Sequence, residues 1–312
     1  MIDVSVNILH GDCLDQLKTL DDQSIHTCIT SPPYWGLRDY GNDDQLGLES
    51  SPDEYINNMV AVFREVKRVL RDDGTLWLNL GDTYGRQVGK GFNTNASVGK
   101  TNRVTKMQKQ YGDIKVKTNL PKKNLLGMPW RVALALQADG WILRQDIIWH
   151  KPNPMPESVR DRCTKAHEYI FLMAKQQKYY FDNDAIKEDA KYPNGPVAPE
   201  KIKKGVGMHG MHTREGLSKL GARDKRNKRS VWKVTTKPFK EAHFATFPMD
   251  LIEPCVLAGS PVDGWVLDPF GGAGTTGLVA DKHKRHAVLI EISKDYIEMA
   301  KKRMEGTNVV VK

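Results

Sequence analysis

Cysteine is scarce in this chain: four residues in 312, Cys13, Cys28, Cys163 and Cys255. No two of them form a C-x-x-C pair, which excludes a recognisable zinc or redox motif. Cys28 and Cys255 lie in apolar or amphipathic runs and read as buried free thiols. Long hydrophobic runs are missing too. Nothing approaches the roughly 18 consecutive apolar residues of a membrane span, so no membrane partner is expected. The opening MIDVSVNILHGDC lacks the basic and apolar regions of a secretory leader, and a reducing, cytoplasmic setting fits.

Acidic residues are nearly absent from two long stretches. Between 85 and 123, ten lysines and arginines stand against Asp113 alone. Between 187 and 240, basic residues outnumber acidic ones about three to one, most densely at Arg223–Arg229. The first also lacks apolar periodicity and is rich in Gly, Asn, Thr and Lys; the second is irregular, with Gly205, Gly207, Gly210, Gly216 and Gly221 among its Lys and Arg residues. They more than account for the formal charge of +9, so the rest of the chain is net acidic. The total charge alone fits a merely basic enzyme as well as a polyanion binder. Its concentration on two irregular insertions favours a grip on a nucleic-acid backbone over two solvated linkers.

What is present is an alternation of strands and helices. Strands are expected at Val4–Leu9, Ile25–Thr30, Thr75–Leu80, Trp141–Trp149, Tyr169–Ala174, Trp265–Asp268 and His286–Ile290, with Lys178–Phe181 as a short hairpin partner. Helices are expected at Asp53–Leu70, capped by Ser51 or Asp53, and at Leu125–Asp139, Pro248–Ala258, Thr275–Lys282 and Lys294–Met304. This order predicts an α/β fold, a mostly parallel sheet with helices on both faces, interrupted by the basic insertions.

Two turns carry chemistry. Asp268-Pro-Phe-Gly-Gly-Ala-Gly-Thr-Thr-Gly follows a strand and opens a helix, and from Gly272 it reads G-x-G-x-x-G. The next strand ends at Glu291. Strand, turn, helix and carboxylate together describe a Rossmann-like nucleotide crevice. Asp268 suits a ligand with a cationic amino acid tail and would repel a pyrophosphate. Too few residues follow Gly277 to complete a dinucleotide domain, so the missing strands must come from the N-terminal part, a permuted order. The second turn is Ser31-Pro32-Pro33-Tyr34-Trp35, whose two prolines end a strand in a stiff, extended ledge. An exocyclic amino group is a poor nucleophile. Acceptors such as Ser31 Oγ and the Pro32 carbonyl can orient its lone pair, and Tyr34, with Trp35, can stack on a base rotated out of a duplex. No metal is required, and His209-Gly-Met-His212 reads as a solvated loop.

Together these residues resemble the beta class of amino-methylating DNA methyltransferases, in which the catalytic half precedes the cofactor half. The resemblance spans nearly the whole chain. It rests on His10-Gly-Asp-Cys, Thr30-Ser-Pro-Pro-Tyr-Trp, Asn79-Leu-Gly-Asp, Trp149-His-Lys-Pro-Asn-Pro-Met-Pro, His167-Glu-Tyr, His243-Phe-Ala-Thr-Phe-Pro and Asp268-Pro-Phe-Gly-Gly-Ala-Gly-Thr-Thr. It implies a circularly permuted methyltransferase order: a catalytic half over 1–186, a target-recognition segment over 187–240 and a cofactor-binding half over 241–312. It implies S-adenosyl-L-methionine as cofactor. Asp12 would face the cofactor's adenine, and Phe244, Thr246 and Pro248 would close over it. Asp268, Phe270, Gly271, Gly272, Gly274 and Thr275 would hold the methionine end, and Glu291 the ribose. Ser31, Pro32, Pro33 and Tyr34 would be catalytic. Trp35, Lys151, Arg223, Lys225, Arg226 and Arg229 would contact double-stranded DNA. A Ser at the head of this turn accompanies N4-cytosine more often than N6-adenine in that family, and adenine stays open. A homodimer is a family-level expectation, and a cognate restriction endonuclease is one possible context. His150 and His167 are base-pocket or structural residues. Asp82 touches base or cofactor, or satisfies turn amides. A nicotinamide-dependent oxidoreductase and a non-catalytic nucleic-acid module are the competing readings; neither explains both turns.

Overall fold

The structure, a computed structural model, describes residues 3–37, 45–85, 120–190, 224–236 and 247–312. The chain forms two compact units. One comprises Met1–Phe181 with Ser230–Lys312, the other Asp182–Arg229.

The larger unit is built on a nine-stranded sheet. Its strands are β1 (Ser5–His10), β2 (Ile25–Thr30), β3 (Leu70–Leu80), β4 (Ile142–His150), β5 (His167–Ala174), β8 (Val231–Lys233), β9 (Trp265–Asp268), β10 (His286–Glu291) and β11 (Asn308–Val311). The two short strands β6 (Glu188–Asp189) and β7 (Lys225–Arg226) belong to the smaller unit. Across the large sheet the order is β11-β1-β10-β9-β2-β3-β5-β4-β8. β5 pairs antiparallel with both β3 and β4, while every other pair is parallel. The C-terminal pair β10–β9 is therefore inserted between the N-terminal strands β1 and β2.

Strands covered on both faces lose the alternation of half-exposed ones and read as nearly continuous apolar runs. Side chains alternate between the faces. Cys28, Leu76, Leu78, Leu80, Leu267, Val288 and Ile290 share one buried cluster with α1 (Cys13–Lys18), α2 (Pro52–Val69) and α3 (Met128–Ala138). Thr27, Trp77 and Leu289 point to the other face. There Gly259, at the end of α4 (Met249–Gly259), lies against Thr27 and Trp77, and Gly277 of α5 (Thr275–Lys282) lies against Leu289 and Val6. The last helix is α6 (Lys294–Arg303).

α2 shows why the local signals succeed. Ser51 Oγ accepts from Glu54 N at 3.1 Å and Pro52 stands at the first turn. Tyr55, Met59, Val62, Phe63, Val66 and Val69 recur at helical spacing and are buried. Burying six such side chains contributes on the order of 10 kcal/mol, far more than the differences in helix propensity.

Three expectations change, and two short elements are added. β3 starts at Leu70, directly after α2, rather than at Thr75, because Leu70 already pairs with Ile25. Lys178–Phe181 is not a strand: Tyr180 N donates to the Asp73 carbonyl and Phe181 stacks on Trp77 with ring centroids 6.1 Å apart. α1 and β11 are too short for periodicity to reveal. β8 lies within a stretch expected to be irregular and extends the sheet beside β4.

Candidate active site

The topology gathers the motif residues at the described strand ends onto one edge. The carboxyl ends of β1, β10, β9, β2, β3 and β4 and the amino end of β5 all open on that side. Along it lie Asp12, Glu291, Asp268, the Ser31–Tyr34 turn, Asn79–Asp82, His167–Glu168 and His150–Lys151, in that order. Ligands of open α/β sheets bind at such carboxyl edges.

At β9 the turn relies on glycine. Gly272 and Gly274 take φ of +49° and +77°, values that cost an L side chain strain. Gly271 N donates to the Ile290 carbonyl at 2.8 Å, and Gly272 N donates to Glu291 Oε2 at 2.8 Å. Glu291 Oε1 accepts from Ser293 N. Burial pushes the Glu291 carboxyl above its ordinary value. Asp268 is buried and fully engaged: Oδ1 accepts from Thr30 Oγ1 at 2.6 Å and Phe270 N at 3.1 Å, and Oδ2 from Thr276 Oγ1 at 2.6 Å. Burial raises its pKa to about 6, against the opposing pull of these donors. Asp12 follows β1 and caps α1, accepting from Leu14 N and Asp15 N at 2.9 and 3.1 Å. Phe270 is half-buried against the core and Pro248 is buried ahead of α4. Gly274 sits against Ala300, and the Thr275 hydroxyl accepts from Arg303, so both also serve to seat α6.

The Thr30–Asp268 bond joins the two turns. Ser31 follows immediately, so the proline ledge begins one residue from the contact with the glycine-rich turn. Tyr55 Oη, from α2, donates to the Pro33 carbonyl at 2.9 Å and steadies the ledge. Tyr34 lies over Gly81, where a Cβ would stand 2.6 Å from its ring. The glycine of Asn79-Leu-Gly-Asp is therefore a steric requirement. Tyr34 Oη donates to Glu168 Oε2 at 2.8 Å, and Ser31 Oγ donates to Tyr34 Oη at 3.3 Å. Glu168 also pairs with Lys151, whose ammonium lies 4.2 Å from the centre of the Trp149 ring. Burial, then the Glu168 charge, holds the Tyr34 hydroxyl well above its ordinary pKa.

With this geometry in hand, comparison with known proteins is decisive. The model of the DNA methylase family N6_N4_Mtase matches residues 25–302. The chain belongs to the N6/N4 DNA methylase family. It is 43% identical over 309 residues to the type II methyltransferase M.Cfr9I of Citrobacter freundii, covering 97% of this chain and 89% of that one. It is also 43% identical over 304 residues to M.SmaI of Serratia marcescens, at 96% and 91% coverage. Among solved structures, the PvuII cytosine-N4-specific DNA methyltransferase superposes with a TM-score of 0.64 at 18% identity, covering 96% of this chain and 87% of that one. A Thermus thermophilus protein assigned as a DNA modification methylase, solved with S-adenosyl-L-methionine, gives 0.57 at 21% identity, with 98% and 99% coverage. At these identities the two structures speak for the fold.

This methylase corrects one expected role. Trp35 does not stack on a base: it is 2% exposed, sits in the core cluster and donates Nε1 to the Glu49 carbonyl. Tyr34 sends its hydroxyl to Glu168 at the edge, whereas Trp35, at the start of the following turn, is taken into the core cluster. Asp82 satisfies turn amides, accepting from Thr83 N and Met128 N. Lys151 reaches Glu168. In the smaller unit, β6 pairs with β7, and Arg226 and Arg229 share Glu188 Oε1 at 2.9 and 2.6 Å. Lys225 is exposed. Phe244, Thr246, Arg223 and the His209–His212 pair lie outside the described residues.

Sequence reasoning assigned no role to Thr30, Thr276, Asn79 or Glu168. The available signal for Glu168 was a carboxylate at the head of an otherwise apolar strand, HEYIFLMA.

Proposed function

We propose that this DNA methyltransferase uses S-adenosyl-L-methionine to methylate the N4 amino group of cytosine in double-stranded DNA. The observation that carries the reading is the Thr30–Asp268 hydrogen bond, which sets Ser31 directly beside the glycine-rich turn. The donor set fits the cofactor. Asp12, Asp268 and Glu291 line one side of the edge, suiting a ligand with a cationic amino group and a sulfonium. They disfavour a pyrophosphate, and the Gly272 amide needed to cradle one is held by Glu291. This counts against a nicotinamide enzyme. When bound, S-adenosyl-L-methionine supplies a methyl group on a positively charged sulfur.

The chain's own residues supply position. The carboxylates Asp12, Asp268 and Glu291 set the charge of the cofactor side. Ser31 Oγ and the Pro32 carbonyl accept hydrogen bonds from the N–H groups of the target amino group, which sheds one proton to solvent once the methyl is in place, and the Tyr34 ring, seated on Gly81, receives the extruded base. In the resembled family a Ser at the head of this turn accompanies cytosine N4 more often than adenine N6, and that resemblance favours cytosine. The segment 187–240 serves target recognition: Arg226 and Arg229, held on Glu188, bring two guanidinium groups to one carboxylate and are available for phosphate contact.

The test incubates the protein with methyl-labelled S-adenosyl-L-methionine and unmodified duplex DNA, then digests to nucleosides. Label is expected in N4-methylcytosine. Label in N6-methyladenine would transfer the reading to adenine. A protein that binds the cofactor yet labels no base would overturn it.

A further inference from the structure

We propose that Glu168 and Lys151 anchor a hydrogen-bond chain through Tyr34 whose direction presents Ser31 to the substrate as an acceptor. The inference rests on the amino-methylation reading and adds two positioning residues to it.

Donor and acceptor counting fixes each link. Lys151 carries only donors and Glu168, as a carboxylate, only acceptors. Tyr34 has one proton, and the nearer acceptor is Glu168 at 2.8 Å rather than Asn79 at 3.3 Å. Tyr34 oxygen is left to accept, and Ser31 Oγ donates to it. That link is long at 3.3 Å, and such contacts tighten when substrate arrives. With its proton committed, Ser31 Oγ turns lone pairs toward a bound amino group. The anchor is itself well held. Lys151 N donates to the Ala166 carbonyl at 2.8 Å, locking the end of β4 to the approach to β5, and its ammonium lies on Trp149. Asn79 Nδ2 stands 3.3 Å from Glu168 Oε2.

The counting makes an unusual demand on Glu168→Gln. Lys151 must take the amide oxygen, which turns the amide NH2 toward Tyr34. Tyr34 then accepts there, and its proton turns to Ser31 Oγ or Asn79 Oδ1, each 3.3 Å away. A nearly isosteric change thereby removes the link that commits the Ser31 proton to Tyr34. Tyr34→Phe cuts the same chain in the middle.

The test measures single-turnover methylation of amplified, unmethylated bacterial genomic DNA, with S-adenosyl-L-methionine affinity read by calorimetry. Glu168→Gln and Tyr34→Phe are each expected to slow transfer about ten- to a hundredfold, with cofactor affinity within about twofold of wild type. In a Ser31→Ala background, Glu168→Gln is expected to cost nothing more, because the chain has lost the atom it orients. Equal losses with and without Ser31 would overturn the chain, as would a Glu168→Gln enzyme as fast as wild type. If Glu168→Gln does not fold, the same comparison of Tyr34→Phe with and without Ser31 decides the matter. A wild-type protein that binds cofactor but transfers nothing sinks the amino-methylation reading itself, a result distinct from either.

Discussion

The two halves of the edge hold their polar groups by different means. On the β1–β10–β9 side, carboxylates are gripped chiefly by the main chain and by core hydroxyls. Asp12 caps a helix, Glu291 accepts two backbone amides, and Asp268 accepts one amide and two threonines. On the β2–β3–β5–β4 side, side chain holds side chain, from Ser31 through Tyr34 to Glu168 and Lys151. The first arrangement is part of the backbone path and cannot change without disturbing it. The second draws on separate strands and can be altered inside an intact sheet. Defects on the first side should therefore appear as lost binding and stability, and on the second as lost turnover.

The largest expected effect lies on the second side. Ser31→Ala or Tyr34→Ala should lower the transfer rate roughly 10²–10³-fold while cofactor affinity, measured by calorimetry, stays near wild type. A parallel loss of affinity would erase the distinction between the halves. Next comes Asp268→Ala, which strands the Thr30 and Thr276 hydroxyls and the Phe270 amide in the interior. At about 1 kcal/mol or more for each buried group left unmatched, denaturant unfolding should show a loss of about 3 kcal/mol, and cofactor binding should fail before the fold does.

A smaller effect sharpens the same contrast through pH. Asp268 has its pKa raised by burial from 3.8 to about 6. A carboxyl that holds its proton more tightly when folded contributes stability that is full below pH 3.8 and lost as pH rises through about 6. A cationic ligand prefers the ionised form, so cofactor affinity should run the other way, rising about tenfold between about pH 5 and pH 7. Glu291, also raised by burial, acts in the same sense, so Asp268→Asn should flatten the titration without abolishing it. An unchanged titration in that variant would remove Asp268 from the ligand's surroundings. Smallest are Arg226→Ala and Arg229→Ala in the other compact unit. Each should weaken DNA binding alike on all sequences and reduce the slope of log affinity against log salt by about one, with cofactor affinity unchanged.

The elements legible in the sequence were those fixed by local chemistry. β2 and β9 are short apolar runs stopped by Ser31-Pro-Pro and Asp268-Pro, and α2 carries its own cap, N-terminal proline and buried stripe. β11, four residues long, and β8, three, are strands only because β1 and β4 stand beside them, and no periodicity is measurable over so few residues. The site divides in the same way. The glycine turn and the proline ledge were readable because a backbone requirement is written in residue type. Trp35 was misread because neighbours in a motif need not share a face. Glu168 had no assigned role because its partner Tyr34 lies 134 residues away, and only the antiparallel placement of β5 beside β3 brings the two together.

The central claim is that one sheet edge seats the methyl donor and the acceptor base side by side, with the Thr30–Asp268 bond as the seam between them. Its most direct test is a crystal structure of the protein soaked with S-adenosyl-L-methionine. The amino acid tail should lie against the Asp268 turn, the ribose beside Glu291, and the sulfonium methyl should point across the seam toward Ser31. A cofactor bound with its methyl turned away from Ser31, or seated elsewhere on the sheet, would contradict the account.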